Sequence, residues 1–460
     1  MWFARGTRKL VERVATKSRA GGRHFARAVI WLLLAPSGAF LSGLARAQTA
    51  PPAPAAAGPD QPSYLTPAPL RTSNPLLTRS RDYTGVSVSD WIIYPEFEAA
   101  GVYNDNLTQA QSGRIGASGA RLQPDVYGVR DSGISKTIIY GSADAHLYPS
   151  QPRDDTYDGR MAISQAWELQ PDLTVKGGVE YDRLSYLTEG GLIETPDGTA
   201  ATLAAPQEYQ QLLSSAAVQK ALGRYFLGVS INEAQTTYDS LSTSQCSFSQ
   251  GYRDSSVTTL TERGGYWISP MLYGYAETAE NWRQYVNDPF TSHGYRALAG
   301  LGSDRIGLFR GEVYGGYQAQ YYDASPIGTA VSPVLGGKLF WYPTRALTLS
   351  SSIGEAFSDS SNPTPTNPRG DPAHVTSAQL NANYQLDRRW SAQGFARFDV
   401  SQYLGVDRID ETWTAELGAK REIARNFNII LDYTYIRVHS NALGASYSNN
   451  IVSLGGLYKF

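Results

Sequence analysis

The residues of this chain best suited to chemistry are five histidines, His24, His146, His293, His374 and His439, and one cysteine, Cys246. A barrel lipase, protease or deacylase needs a nucleophile or an activated water, usually with a histidine to carry the proton. The histidines are far apart and lack the spacing of metal ligands, and no G-x-S-x-G motif occurs. A single cysteine makes neither an intrachain disulfide nor a zinc site. The expectation is a chain that is no enzyme, with no catalytic, cofactor-binding or metal-binding set and no cofactor. His146 beside Asp144 reads as a solvated pair on one face of a strand. Cys246 lies in a long break between strands and reads as an incidental thiol, with interchain pairing as the alternative.

The charges left over are more informative. Lys176, Glu180, Asp182, Arg310, Glu312, Arg397, Asp399, Glu416, Lys420 and Asp432 all fall on the polar side of stretches that alternate polar and apolar. Such residues are candidates to line a wet interior. They could act as a ladder of charge that selects ions, or simply pair with one another. Acids and bases are nearly balanced among them, which favours the paired lining.

What must position these side chains is a set of strands. From about residue 81 to the end, no amphipathic-helix stripe is sustained, and alternation with period two recurs between clusters of Gly, Pro, Asn and Asp. In Phe309–Tyr321 one face carries Phe309, Val313, Tyr317 and Tyr321, and the other Arg310, Glu312, Gln318 and Gln320. In Trp390–Val400, Trp390, Ala392, Ala396 and Phe398 oppose Gln393, Arg397 and Asp399. The stretches run to about 10–14 residues, and a tilted strand needs about 9–11 to cross a bilayer. The breaks alternate short and long, with short ones at 131–133, 170–172, 223, 269–270, 303–305, 343–345, 387–388 and 424–426. That rhythm suits an up-and-down outer-membrane barrel, with short periplasmic turns and long external loops. Nine long and eight short breaks give an all-β, antiparallel transmembrane barrel of about 18 strands, within a range of 16–18. The long break at 188–206 is the best candidate to fold into the bore. Aromatics near both ends of the strands, among them Trp167, Tyr225, Trp267, Tyr148, Tyr238 and Tyr285, suggest two interfacial girdles.

The ends of the chain fit export. Residues 1–47 carry nine Lys or Arg and one acid, an apolar run Ala28–Ala35, and Ala45-Arg46-Ala47 before Gln48. This order is that of a signal peptide cleaved near Ala47. Residues 48–80 are rich in Pro and Ala and read as a disordered periplasmic linker, leaving 81–460 as the barrel. Beyond residue 47 there remain 31 bases against 41 acids, a surface that would repel nucleic acid. The last eight residues place Ser453, Gly455, Tyr458 and Phe460 in the pattern of the outer-membrane assembly signal, polar–any–Gly–two of any–aromatic–any–aromatic. The assembly machinery could pair with that free strand. The outer-membrane bilayer and this machinery are therefore the expected partners.

The opening strand ends in Tyr103-Asn-Asp-Asn106. In this it resembles the putative beta-barrel porin 2 family, outer-membrane proteins whose first strand ends in Tyr-Asp/Asn-Asp-Asn. The resemblance extends over about residues 90–460. It implies a link to exopolysaccharide export, with polysaccharide or export components as further partners, and it brings no catalytic residues.

Two functions follow as expectations. One is a porin-like channel that passes solutes or exports polysaccharide. The other is a non-conducting structural or docking barrel with its lumen filled by loops. A TonB-type transporter would need 22 strands and a globular plug, for which residues 48–80 are too few.

Overall fold

The computed structural model describes residues 85–460 except 187–191, 195–199, 203–205, 243–246, 287–289, 324–326, 361–370 and 443. The signal, the linker and Cys246 lie outside the described residues. So does most of the 188–206 break, whose described parts are a small hairpin pairing Leu192–Glu194 with Ala200–Thr202.

Eighteen long strands, each of 13–16 residues, make the wall. They are β1 Trp91–Asn104, β2 Ala117–Asp131, β3 Ser135–Leu147, β4 Thr156–Gln170, β5 Leu173–Tyr186, β6 Gln207–Leu222, β7 Tyr225–Tyr238, β8 Ser255–Ser269 and β9 Leu272–Tyr285. They continue as β10 Ser292–Ile306, β11 Phe309–Tyr322, β12 Thr329–Trp341, β13 Leu347–Ser360, β14 Asp371–Gln385, β15 Trp390–Tyr403, β16 Ile409–Ala424, β17 Phe427–Ser440 and β18 Tyr447–Lys459. Each pairs antiparallel with its successor, and β18 returns to pair with β1, so the sheet closes on itself. Closure matters physically: it pairs edge N–H and C=O groups that would otherwise face hydrocarbon.

The long and short breaks alternate as the sequence predicts. One turn differs. The sequence suggests 303–305, but β10 runs on to Ile306 through a register shift, and the chain turns at Gly307-Leu308. Gly307 supplies the reason, since its φ of +62° is a conformation that the residues at 303–305 would adopt only under strain.

Alternation sorts the side chains into two faces. The outer face of β4, β7, β11 and β12 shows Met161, Ile163, Leu227, Val313, Tyr317 and Leu335, all exposed. An apolar belt of this kind calls for lipid rather than water. Two carboxylates interrupt it, Glu262 on β8 and Glu280 on β9, both exposed; nothing in the structure explains them. The aromatic rings at the strand ends are less regular than the sequence suggests. Trp167, Tyr225, Trp341, Trp390 and Phe427 are exposed beside short turns. Trp267 instead packs inward with Phe226 and Tyr273, and Tyr148, Tyr238 and Tyr285 also turn inward.

Candidate functional site

The inner wall is where charge collects, and side chains there meet across strands that are not neighbours. Only the concave side of a curved sheet allows this. Arg263 of β8 reaches Glu312 of β11 at 2.7 Å and lies 3.5 Å over the ring of Tyr275 on β9. Tyr273 donates to the same Glu312 at 2.9 Å. Glu277 receives Arg296 from β10 at 3.2 Å. On the other side of the bore, buried Arg121 of β2 holds Asp144 of β3 at 2.7 Å and Glu98 of β1 at 3.4 Å.

The ten charges singled out from the sequence fall on this wall by alternation, and their neighbourhoods differ. Glu312 joins the Arg263 cluster. Arg397 and Asp399 pair with each other at 2.7 Å, and Ser377 donates to Asp399 at 2.5 Å. Asp182 lies 3.7 Å from Arg160, with Glu180 buried beside it on β5 and Lys176 half-buried lower down. Asp432 is buried 3.5 Å from the Ser453 hydroxyl. Arg310, Glu416 and Lys420 are half-buried on the inner faces of β11 and β16. The ten do not converge on one point; they are spread around the wall among opposite charges.

The stronger clusters centre on Arg121, Arg263 and Arg283, which the sequence reading passes over. Arg121 and Arg283 sit in 120–130 and 271–284, the two stretches where the alternation is hardest to phase. His146 lies 3.6 Å from Asp144, His293 3.5 Å from Asp323, and His374 3.0 Å from the Ser332 hydroxyl. No two histidines come together in these contacts. Among the described residues no group of three or more His, Cys, Asp or Glu could hold a metal ion.

One section of wall lies inside another. The upper part of β13, towards the long loops, carries Phe357 and Asp359 on the side that faces outward lower down. There they meet inward-facing residues of β9, β11 and β12. Arg283 pairs with Asp359 at 2.7 Å, and Tyr285 donates to Asp359 at 3.0 Å. Phe357 packs with Tyr322 and Ala330. His374 of β14 meets Ser332 on the inner face of β12. The tops of β13 and β14 are thus lapped behind β9–β12 and occupy part of the bore.

The terminal residues close the ring. Tyr458 and Phe460 are exposed on one outer face with rings 4.8 Å apart, and the Phe460 amide donates to the Pro95 carbonyl at 3.1 Å. Gly455 lies opposite Ala100, too close for a side chain, since a Cβ would come within 2.5 Å of the Ala100 Cβ.

A family model described as putative beta-barrel porin 2 matches residues 80–460. Searching the curated proteins gives no match. Among solved structures, the chain is similar to the FrpB iron transporter from Neisseria meningitidis (F5-1 variant), at 9% identity and a TM-score of 0.41, with 82% of this chain and 83% of that one covered. It is also similar to the siderophore receptor PirA from Pseudomonas aeruginosa, at 11% identity and a TM-score of 0.38, with 80% of each chain covered.

Proposed function

The chain belongs to the putative beta-barrel porin 2 family, and on that premise we propose that it is a porin-like channel of the outer membrane. The observation that carries this reading is the closed ring of 18 strands with an apolar outer face and a charge-bearing inner face. Barrels of 16–18 strands enclose more space than side chains alone can fill. Acids and bases are interleaved on the inner wall, so neither cations nor anions gain a strong advantage. The wall serves passage rather than catalysis.

The finer reading rests on sequence. A signal is removed near Ala47, residues 48–80 trail in the periplasm, and Tyr458 and Phe460 present the last strand to the assembly machinery. The cargo is a small solute or a polysaccharide on its way out. The lap of β13 and β14 into the bore supports the alternative, a barrel that does not conduct. Liposome swelling with sugars of graded size separates the two. A channel gives swelling that falls with sugar size. Liposomes that hold the heat-modifiable barrel and swell no faster than empty ones would leave the structural reading standing.

A further inference from the structure

β12 and β13 are consecutive strands, yet they pair over five positions only, from Gly337↔Ile353 to Trp341↔Leu349. β12 is fully paired to β11, and β13 to β14. The parting therefore belongs to this one junction. Carrying the register upward would set Pro333 opposite Phe357. Backbone direction alternates along each strand. Tyr342 donates back to Leu308, so even-numbered residues of β12 point to β11 and odd-numbered ones, Pro333 among them, point to β13. Gln385 donates to Ala346, so Phe357 in turn points towards β12. The ladder would need an N–H at Pro333, and proline has none.

Side chains close the two edges instead. Arg283 donates to the Phe357 carbonyl at 3.0 Å, and Ser332 donates to the carbonyl of Pro333 at 2.9 Å. The two sides of the junction contrast in character. Outside, Val331 and Leu335 are exposed, Leu335 at 71%. Inside, a cavity of about 40 Å³, open to solvent, is lined by Arg283, Arg296, Asn281, Gln318, Gln320 and Phe357. The inner side of the junction is polar and its outer side apolar.

We propose that the β12–β13 junction is a lateral exit from the lumen for an amphiphile. Its polar head rests on the inner wall against Arg283, Gln318 and Gln320, and its hydrocarbon chain leaves between Pro333 and Phe357 into the external half of the membrane. Opening requires that Arg283 release Asp359 and the Phe357 carbonyl, that Phe357 leave Tyr322 and Ala330, and that Ser332 part from His374. No ladder of backbone bonds has to break above Gly337. The route is lateral, so it stands whether or not the bore conducts along its axis.

The test uses a benzophenone side chain placed at Ser332, on the inner face beneath the lap, with Gln393 on the inner face of β15 as the reference position. The full mature chain is held in phosphatidylethanolamine–phosphatidylglycerol vesicles, illuminated, and its lipid adducts are measured by mass spectrometry. Position 332 should capture acyl chains several-fold above position 393, and Asp359→Asn should raise that capture further. Equal capture at the two positions in both backgrounds overturns the proposal. Substitution at Ser332 alters the lap itself, so a probe at Gln320 gives an independent readout. Bridging Ser332→Cys to His374→Cys with a short bifunctional thiol reagent should return the Gln320 adduct to the reference level. An adduct that survives the bridge means that lipid enters along the axis, and the lateral route fails.

Discussion

Two junctions of the wall invite comparison: β18 with β1, where the ends of the chain meet, and β12 with β13, which are neighbours in sequence. Chain connectivity suggests that the first should be the weak one. The structure shows the reverse. β18 and β1 pair over nine positions, Glu96↔Lys459 to Asn104↔Ile451. Above that ladder, Asp105 accepts from the Asn450 amide at 2.6 Å and from its side chain at 2.7 Å. Buried Asn106 donates to the carbonyls of Ala110 and Ser448 at 2.9 Å. The Asn-Asp-Asn motif thus rivets the closure. At β12–β13 the ladder stops after five pairs and side chains take over. A proline alone does not open a wall. Pro124 interrupts the β2–β3 ladder between Leu122 and Asp125, and the pairing resumes in the same register. At Pro333 the partner strand has moved inward and is held there by Arg283, so the ladder never resumes.

The largest expected effect breaks the strong junction. Deleting Tyr458–Phe460 removes the two lipid-facing aromatics and the amide that caps Pro95. The amount of heat-modifiable barrel in outer membranes should fall to a small fraction of the wild-type level. An undiminished level would show that the terminal strand is not needed for closure or assembly.

Breaking the weak junction should cost less. Arg283→Ala leaves Asp359 buried with tyrosine hydroxyls but no cation, and takes the Arg283 donor from the Phe357 carbonyl. Removing one member of a buried pair costs about 3–5 kcal/mol, towards the lower end here because water in the bore can reach the gap. Urea unfolding from vesicles measures it. A cost near zero would mean that the lap is held by something other than this pair.

Face matters next. Ala396→Arg puts a charge on the outer face of β15 and should cost about 2–4 kcal/mol near the midplane. Gln393→Arg, on the inner face of the same strand, should be tolerated. The reverse ranking in the same unfolding assay would turn the strand inside out.

The smallest effect sharpens the comparison. Pro333→Ala restores the missing N–H opposite Phe357, and its net effect should lie within about 1 kcal/mol. Amide hydrogen exchange in β12 should slow above Gly337 if the ladder then extends. Unchanged exchange would assign the parting to the Arg283 latch rather than to the proline.

Much of this fold is legible in the sequence. Strand count, closure and the rhythm of turns follow from alternation and from the lengths of the breaks, because a strand buried on neither face writes its two environments directly into its residues. Phe309–Tyr321 and Trp390–Val400 show the two faces without ambiguity. The inner wall is less legible. Lys176 or Glu416 can be assigned to a face, but which charges meet depends on curvature and on strands far apart in sequence, as with Arg263 and Glu312. Trp267 shows the same limit: its place at a strand end suggests an interface, whereas its position in the alternation turns it inward. Pro333 is a sign present in the sequence, since a proline within a strand marks an edge. The inward turn of Phe357 and Asp359 has no such sign, because it reverses the face that their alternation assigns.

The measurement that bears most directly on the account is single-channel recording in planar bilayers, comparing the refolded mature protein with Arg283→Ala. A water-filled barrel whose bore is narrowed by the lapped tops of β13 and β14 should give discrete current steps with a reversal potential near zero in a salt gradient. Releasing the lap should make the steps larger. If both proteins are silent while circular dichroism shows an intact β-barrel, the bore is not a conduit and the account is wrong.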